Sequence, residues 1–158
     1  MSQRRSAFVL AALLMLQAKT WAAPQADCFQ EAARYHGVSA AVLRAIARVE
    51  SNFQPQAVAH NRNGSTDIGM MQINSIHLDE LARWGVQAAH LHQACISIYV
   101  AAWHYRRQVE HYGHTWLAVG AYHSRTPKYR DAYAARVRQA LRDPRTLLAS
   151  QPLDRPER

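Results

Sequence analysis

The chain has 158 residues, 49% of them hydrophobic and 19% charged, and a formal charge of +8. That balance is ordinary for a folded chain and excludes a disordered, collagen-like or low-complexity polymer. The length suits one domain with a substantial core rather than two, and no repeat at solenoid period is present.

Met1–Ser6 carries Arg4 and Arg5 and no acid. Ala7–Leu16 is an apolar block too short to cross a bilayer as a helix. Thr20-Trp21-Ala22 then sets small residues two apart, a pattern signal peptidase accepts, so cleavage is expected after Ala22, next to Ala23. Asp27 before Cys28 does not suit a lipidation box. Residues 1–22 therefore read as a signal peptide, and the remainder as an exported protein with no integral membrane segment. Cleavage would remove three basic residues and no acid, leaving 136 residues at +5. The cysteines that remain, Cys28 and Cys95, are expected to pair in an oxidising compartment, with two buried thiols as the alternative. A bridge of that span stabilises by roughly 4 kcal/mol on chain-entropy grounds.

The mature chain reads as mostly helical. A first helix over 29–36 ends at Gly37, and Ser39 caps a second over 40–51. Pro55, Asn61 and Asn63-Gly64 break the pattern over 54–68 and predict a tight turn in a small β-hairpin or an irregular loop. Helical periodicity returns over 76–84 and strongly over 95–112, closed by Gly113. Shorter helices are predicted over 115–122 and 129–141. The domain is thus placed at 23–142. Pro144, Pro152 and Pro156 among alternating charges predict a flexible tail over 143–158.

On the second helix, Leu43, Ile46, Ala47 and Glu50 share one face, while Arg44 and Arg48 point to the other side. A carboxyl within an apolar stripe resists ionisation, so its pKa rises, as a general acid near neutral pH requires. The bland alternative is a helix-end Glu satisfied by backbone donors.

Further residues favour chemistry. The runs Glu50-Ser51-Asn52-Phe53, Asn63-Gly64-Ser65-Thr66-Asp67-Ile68-Gly69 and Met70-Met71-Gln72-Ile73-Asn74-Ser75 resemble the catalytic segment of the lysozyme-like superfamily. Within it they most resemble the small exported lytic transglycosylases (SLT domain) that accompany type III secretion, type IV pilus and conjugation machinery. Cys28, Cys95 and Trp116-Leu117-Ala118-Val119-Gly120-Ala121-Tyr122 extend the similarity over about Cys28 to Leu141.

The resemblance implies a mainly α, lysozyme-like α+β fold, a single helical domain with a small β-hairpin or loop flap beside a cleft. It also implies periplasmic work on peptidoglycan glycan strands, at the β-1,4 bond between N-acetylmuramic acid and N-acetylglucosamine. Glu50 is the implied acid/base. Asp67, 17 positions later, also fits the pattern of animal c-type lysozyme, where such an acid assists hydrolysis; its alternative is a turn acid bonding neighbouring backbone amides. Tyr122 matches a tyrosine that supports the catalytic carboxyl, or is a packed aromatic.

Ser51, Gly69, Met71, Gln72, Asn74 and His123 are the expected saccharide contacts. Gly69 would let backbone approach substrate closely, and Met70 and Met71 would line the cleft or fill core. Gln72 and Asn74 would bond sugar groups or cap a helix starting there. His123-Ser124-Arg125 stands where the family commonly has Asn-Ala-Gly, so His123 replaces one sugar contact.

Nine histidines come without zinc spacing, so neither metal nor cofactor is expected, and Arg136, Arg138 and Arg142 read as a solvated helix face. A monomer is expected, with a secretion, pilus or conjugation apparatus as a further partner. Rival classes are a lysozyme-type hydrolase, a non-catalytic wall-binding assembly factor, and a nucleic-acid binder, which the export signal disfavours.

Overall fold

The computed structural model describes residues 27–149. The expected signal peptide with its cleavage near Ala22/Ala23, and the end of the chain from 150, lie outside them. Asp27 accepts from the Phe29 N–H and starts α1 (Cys28–His36), which Gly37 ends in the left-handed conformation. Ser39 caps α2 (Ala40–Ser51) by accepting from the Val42 N–H. A three-stranded antiparallel sheet follows, in the order β1 (Val58–His60), β2 (Thr66–Ile68), β3 (Ile73–Asn74). Its register pairs Ala59 with Asp67, and Asp67 with Asn74.

The predicted helix over 76–84 is broken into 3-10 turns at Ser75–His77 and Ala82–Trp84 around the single turn of α3 (Leu78–Leu81). After a further 3-10 turn, Ala88–His92, come α4 (Ala94–Tyr112), α5 (Trp116–Ala121) and α6 (Pro127–Ala140). Pro127 sits in the first turn of α6, where its missing N–H costs nothing, so this helix starts two residues before the predicted 129.

The flap is the predicted hairpin plus a short third strand. No helix begins at Gln72: residues 69–72 form a tight turn, with the Gln72 N–H on the Gly69 carbonyl, and Ile73 enters β3 directly. The molecule is therefore mainly helical with a small sheet, the expected α+β architecture.

α2 runs through the middle, packed against α1, α4 and α6, and against a short later helix, Pro144–Leu148. Leu43, Ile46 and Ala47 are fully buried, and meet a core that includes Phe29, Ile98 and Val137. The Cys28–Cys95 disulfide ties α1 to α4, with 5.4 Å between their Cα atoms.

The tail expected to be flexible from 143 begins otherwise. Asp143 caps a short helix, α7 (Pro144–Leu148), that packs on α2. This return of the chain covers Arg44, which the periodicity places on the side of α2 away from Glu50. Arg44 is buried, paired with Asp27, set over the Phe29 ring at 5.1 Å, and donates through Nε to the Ala149 carbonyl.

Candidate active site

Glu50 stands one residue before the end of α2. Asn52 and Phe53 follow with φ of 54° and 63°, a left-handed pair that stops the helix and turns the chain aside. The carboxyl is thereby left at the C-terminal end of a helix, where aligned peptide dipoles disfavour negative charge. Burial raises its pKa to about 7; a hydrogen bond from Tyr133 and the charge of Arg136 oppose the rise, and the charge of Asp67 adds to it. The group is thus poised to hold or release a proton near neutrality.

The carboxyl opens into a cleft of about 1050 Å³. Asp67 and Asn74 come to it from the sheet, His104 and Gln108 from α4, and His123 from the turn after α5. Antiparallel register sets Asp67 beside Asn74, and the loop before β2 brings Asn61 and Ser65 to the same point.

Asp67 Oδ1 accepts from Asn74 Nδ2 at 2.7 Å and Oδ2 from Asn61 Nδ2 at 2.9 Å. Asp67 is thus neither free nor held by backbone amides, as the turn alternative supposed. Two side-chain carboxamides orient it within the cleft. Asn74 is correspondingly committed, since Nδ2 also reaches Ser65 Oγ and Oδ1 caps the next turn through the Ile76 N–H.

The turn over 69–72 is held from several sides. Ser51 Oγ donates to the Met70 carbonyl at 2.7 Å, the Met71 N–H reaches Ser97 Oγ, and Tyr122 Oη donates to the Met71 carbonyl at 2.8 Å. Gln72 adopts φ 48°, and its Nε2 donates to the carbonyls of Gly69 and Ala57. These contacts recast the expected saccharide residues. Met70 and Met71 are fully buried core, not cleft wall. At Gly69 (φ 76°) a Cβ would lie 1.9 Å from the Leu91 carbonyl oxygen, so the close approach is to Leu91 rather than to substrate. Ser51 fastens the turn, whereas Gln72, Asn74 and His123 do line the cleft.

Tyr122 does not support the carboxyl. Tyr133, on α6, donates its hydroxyl to Glu50 Oε1 at 2.5 Å. Burial and the neighbouring Glu50 charge push the Tyr133 phenol well up, so it stays a donor. His123 stacks on the Tyr133 ring at 4.9 Å, almost parallel, and Arg136 lies 5.2 Å from the same ring. Arg136 is exposed, as the sequence reading has it, and its charge also acts on the carboxyl. Tyr133 and Arg136 were missed because their helical spacing is that of any amphipathic helix; an alignment of the two segments in space is the signal they needed. His104 is also new. Its Nε2 faces the Tyr122 carbonyl at 3.1 Å, and burial, reinforced by the charge of His77, lowers its pKa to about 4.

Among the described residues no group of three or more His, Cys, Asp or Glu side chains could hold a metal ion, and no helix is long and apolar enough to cross a membrane.

A helix-end glutamic acid beside a short sheet, in a long open cleft, is the arrangement the sequence resemblance implied. The profile of the transglycosylase SLT domain matches residues 27–141, and the chain belongs to that family, the peptidoglycan lytic transglycosylases. Among individual proteins, it is 44% identical over 108 residues to the invasion protein IagB of Salmonella typhimurium (strain SL1344), covering 67% of this chain and 68% of that one. It is 39% identical over 103 residues to protein IpgF of Shigella flexneri (65% and 68%), and 36% identical over 99 residues to the X polypeptide of Escherichia coli strain K12 (62% and 59%).

Proposed function

We propose that this protein cleaves the β-1,4 bond between N-acetylmuramic acid and N-acetylglucosamine in peptidoglycan by lytic transglycosylation, with Glu50 as the single acid and base. The observation that carries this reading is the Glu50 carboxyl, its pKa near 7, facing the cleft with one oxygen held by Tyr133. Because Tyr133 donates to Oε1, the acidic proton belongs on Oε2. Oε2 protonates the glycosidic oxygen as the bond to the muramic anomeric carbon breaks, and the sugar gains oxocarbenium character. The carboxylate left behind then takes the proton from the muramic 6-hydroxyl, whose oxygen closes on the anomeric carbon. The products are a free 4-hydroxyl on N-acetylglucosamine and a 1,6-anhydromuramoyl end, with no water consumed and Glu50 reprotonated.

Asp67 supports a second reading, lysozyme-type hydrolysis, because its charge acts on Glu50 from within the same cleft. The first is preferred because the family whose profile covers residues 27–141 is that of the transglycosylases. Digestion of purified sacculi followed by mass analysis decides between them. Anhydromuropeptides support transglycosylation; reducing ends heavier by one water support the hydrolase; intact sacculi that still bind the protein support an assembly factor. The signal-like N-terminus and the invasion protein among the relatives support export to the periplasm and service to an envelope-spanning machine.

A further inference from the structure

We propose that Arg62 and Arg125 form a cationic subsite that selects glycan strands carrying acidic peptide branches; this rests on the peptidoglycan reading above. Both side chains line the cleft that contains Glu50, Arg62 from the hairpin loop and Arg125 from the turn between α5 and α6. Both residues are exposed, and among the described residues neither is in an ion pair.

Among the described residues, the other charged groups of the cleft are engaged elsewhere and do not pair with them. The third cleft arginine, Arg107, is paired with Glu80 at 2.8 Å and set over Trp103. Glu50 and Asp67, the two acids lining the cleft, take their side-chain hydrogen bonds from neutral donors, Tyr133 and the carboxamides of Asn61 and Asn74, and not from Arg62 or Arg125. Two guanidinium groups thus remain unmatched, and arginine keeps its charge at every working pH.

Hydroxyls and acetamido groups offer no anion to them. In the wall glycan the anions are the lactyl carboxyl of muramic acid, free where no peptide is attached, and the carboxylates of the peptide branch, which extend further from the sugar ring. Planar guanidinium groups suit carboxylates because they can donate two parallel hydrogen bonds. Arg125 also gives a use to the departure His123-Ser124-Arg125: the position commonly glycine in the family here carries a charge into the cleft. That departure then marks a change of substrate preference rather than a loss of function.

The test uses the full mature chain and two preparations of the same wall glycan, one with its branch carboxylates intact and one with them capped as methylamides. Binding by co-sedimentation and turnover are measured on both. An exposed arginine–carboxylate pair changes an equilibrium by up to about fivefold, so intact strands are expected to bind and to lower KM by roughly three- to tenfold relative to capped ones. The preference should shrink on going from low to high salt, and should fall to near unity in Arg62→Gln/Arg125→Gln. The salt series on the wild-type chain needs no variant and so stands even if the double variant folds poorly. Equal binding and KM on the two preparations, or a preference unchanged in a folded double variant, would overturn the subsite while leaving the cleavage reading intact. Selective binding without cleavage of either preparation would instead remove the cleavage reading and retain the subsite.

Discussion

The hydroxyl of Tyr133 donates to Glu50 Oε1, joining residues 83 positions apart and fixing which carboxyl oxygen faces the cleft. Desolvation of this partly buried acid keeps its proton near neutral pH although the phenol favours the ionised form, and the bond defines its orientation. The predicted behaviour of variants follows from that contact and from the charges around it.

Glu50→Gln removes the group proposed to give and take the proton in both halves of the reaction, so lysis of sacculi should fall by about a thousandfold or more, the upper part of the range for one acid–base group. The same variant should be more stable than wild type at pH 8. A carboxyl whose folded pKa is raised from 4.5 to about 7 stabilises the fold only while protonated, and that contribution is lost as pH rises through 7. Denaturant titrations should show a gain on the order of 2 to 3 kcal/mol at pH 8 and almost none at pH 4.

The alkaline limb of kcat/KM should fall near pH 7, where Glu50 loses its proton. Asp67→Asn removes a charge that raises the Glu50 pKa, so the limb should move to lower pH. Arg136→Gln removes a charge that lowers it, so the limb should move to higher pH. Rate profiles of the two variants against wild type check the sign; a limb moving the same way in both would refute the assignment.

Tyr133→Phe and Tyr122→Phe should separate chemistry from architecture. Loss of the Tyr133 hydroxyl should raise the Glu50 pKa and reduce kcat through a misplaced carboxyl. Tyr122 Oη serves the Met71 carbonyl instead, so its removal leaves a buried acceptor unpaired and should cost about 1 to 3 kcal/mol of stability with no movement of the pH limb. Thermal melts beside pH–rate profiles give both readouts.

Gly69→Ala should be severely destabilising, by about 3 kcal/mol or more, since both the positive φ and the Leu91 carbonyl at 1.9 Å oppose a side chain. Urea titration of the purified variant, or its failure to accumulate in soluble form, would register this. A variant of near wild-type stability would show that the turn over 69–72 can shift away from Leu91.

Local patterns in the chain were enough for most helices, for the hairpin at Asn63-Gly64 and for the placement of Glu50 at the end of an apolar stripe. Each of these depends on residues within one or two turns, or on a short motif whose spacing carries its own geometry. The partners of Glu50 were not legible in that way. Tyr122 and Tyr133 have the same side chain on neighbouring helices, and only the docking of α6 against α2 decides which hydroxyl meets the carboxyl and which meets Met71. The burial of Arg44 was not legible because periodicity places it only on the far side of its own helix and does not record the later return of the chain across it. Gly69 looked like a substrate contact because a positive-φ glycine announces a close approach without naming the neighbour, which proved to be Leu91. Hydrogen bonds and charges act over a few ångströms, so their pairings between distant segments come into being only when the core closes.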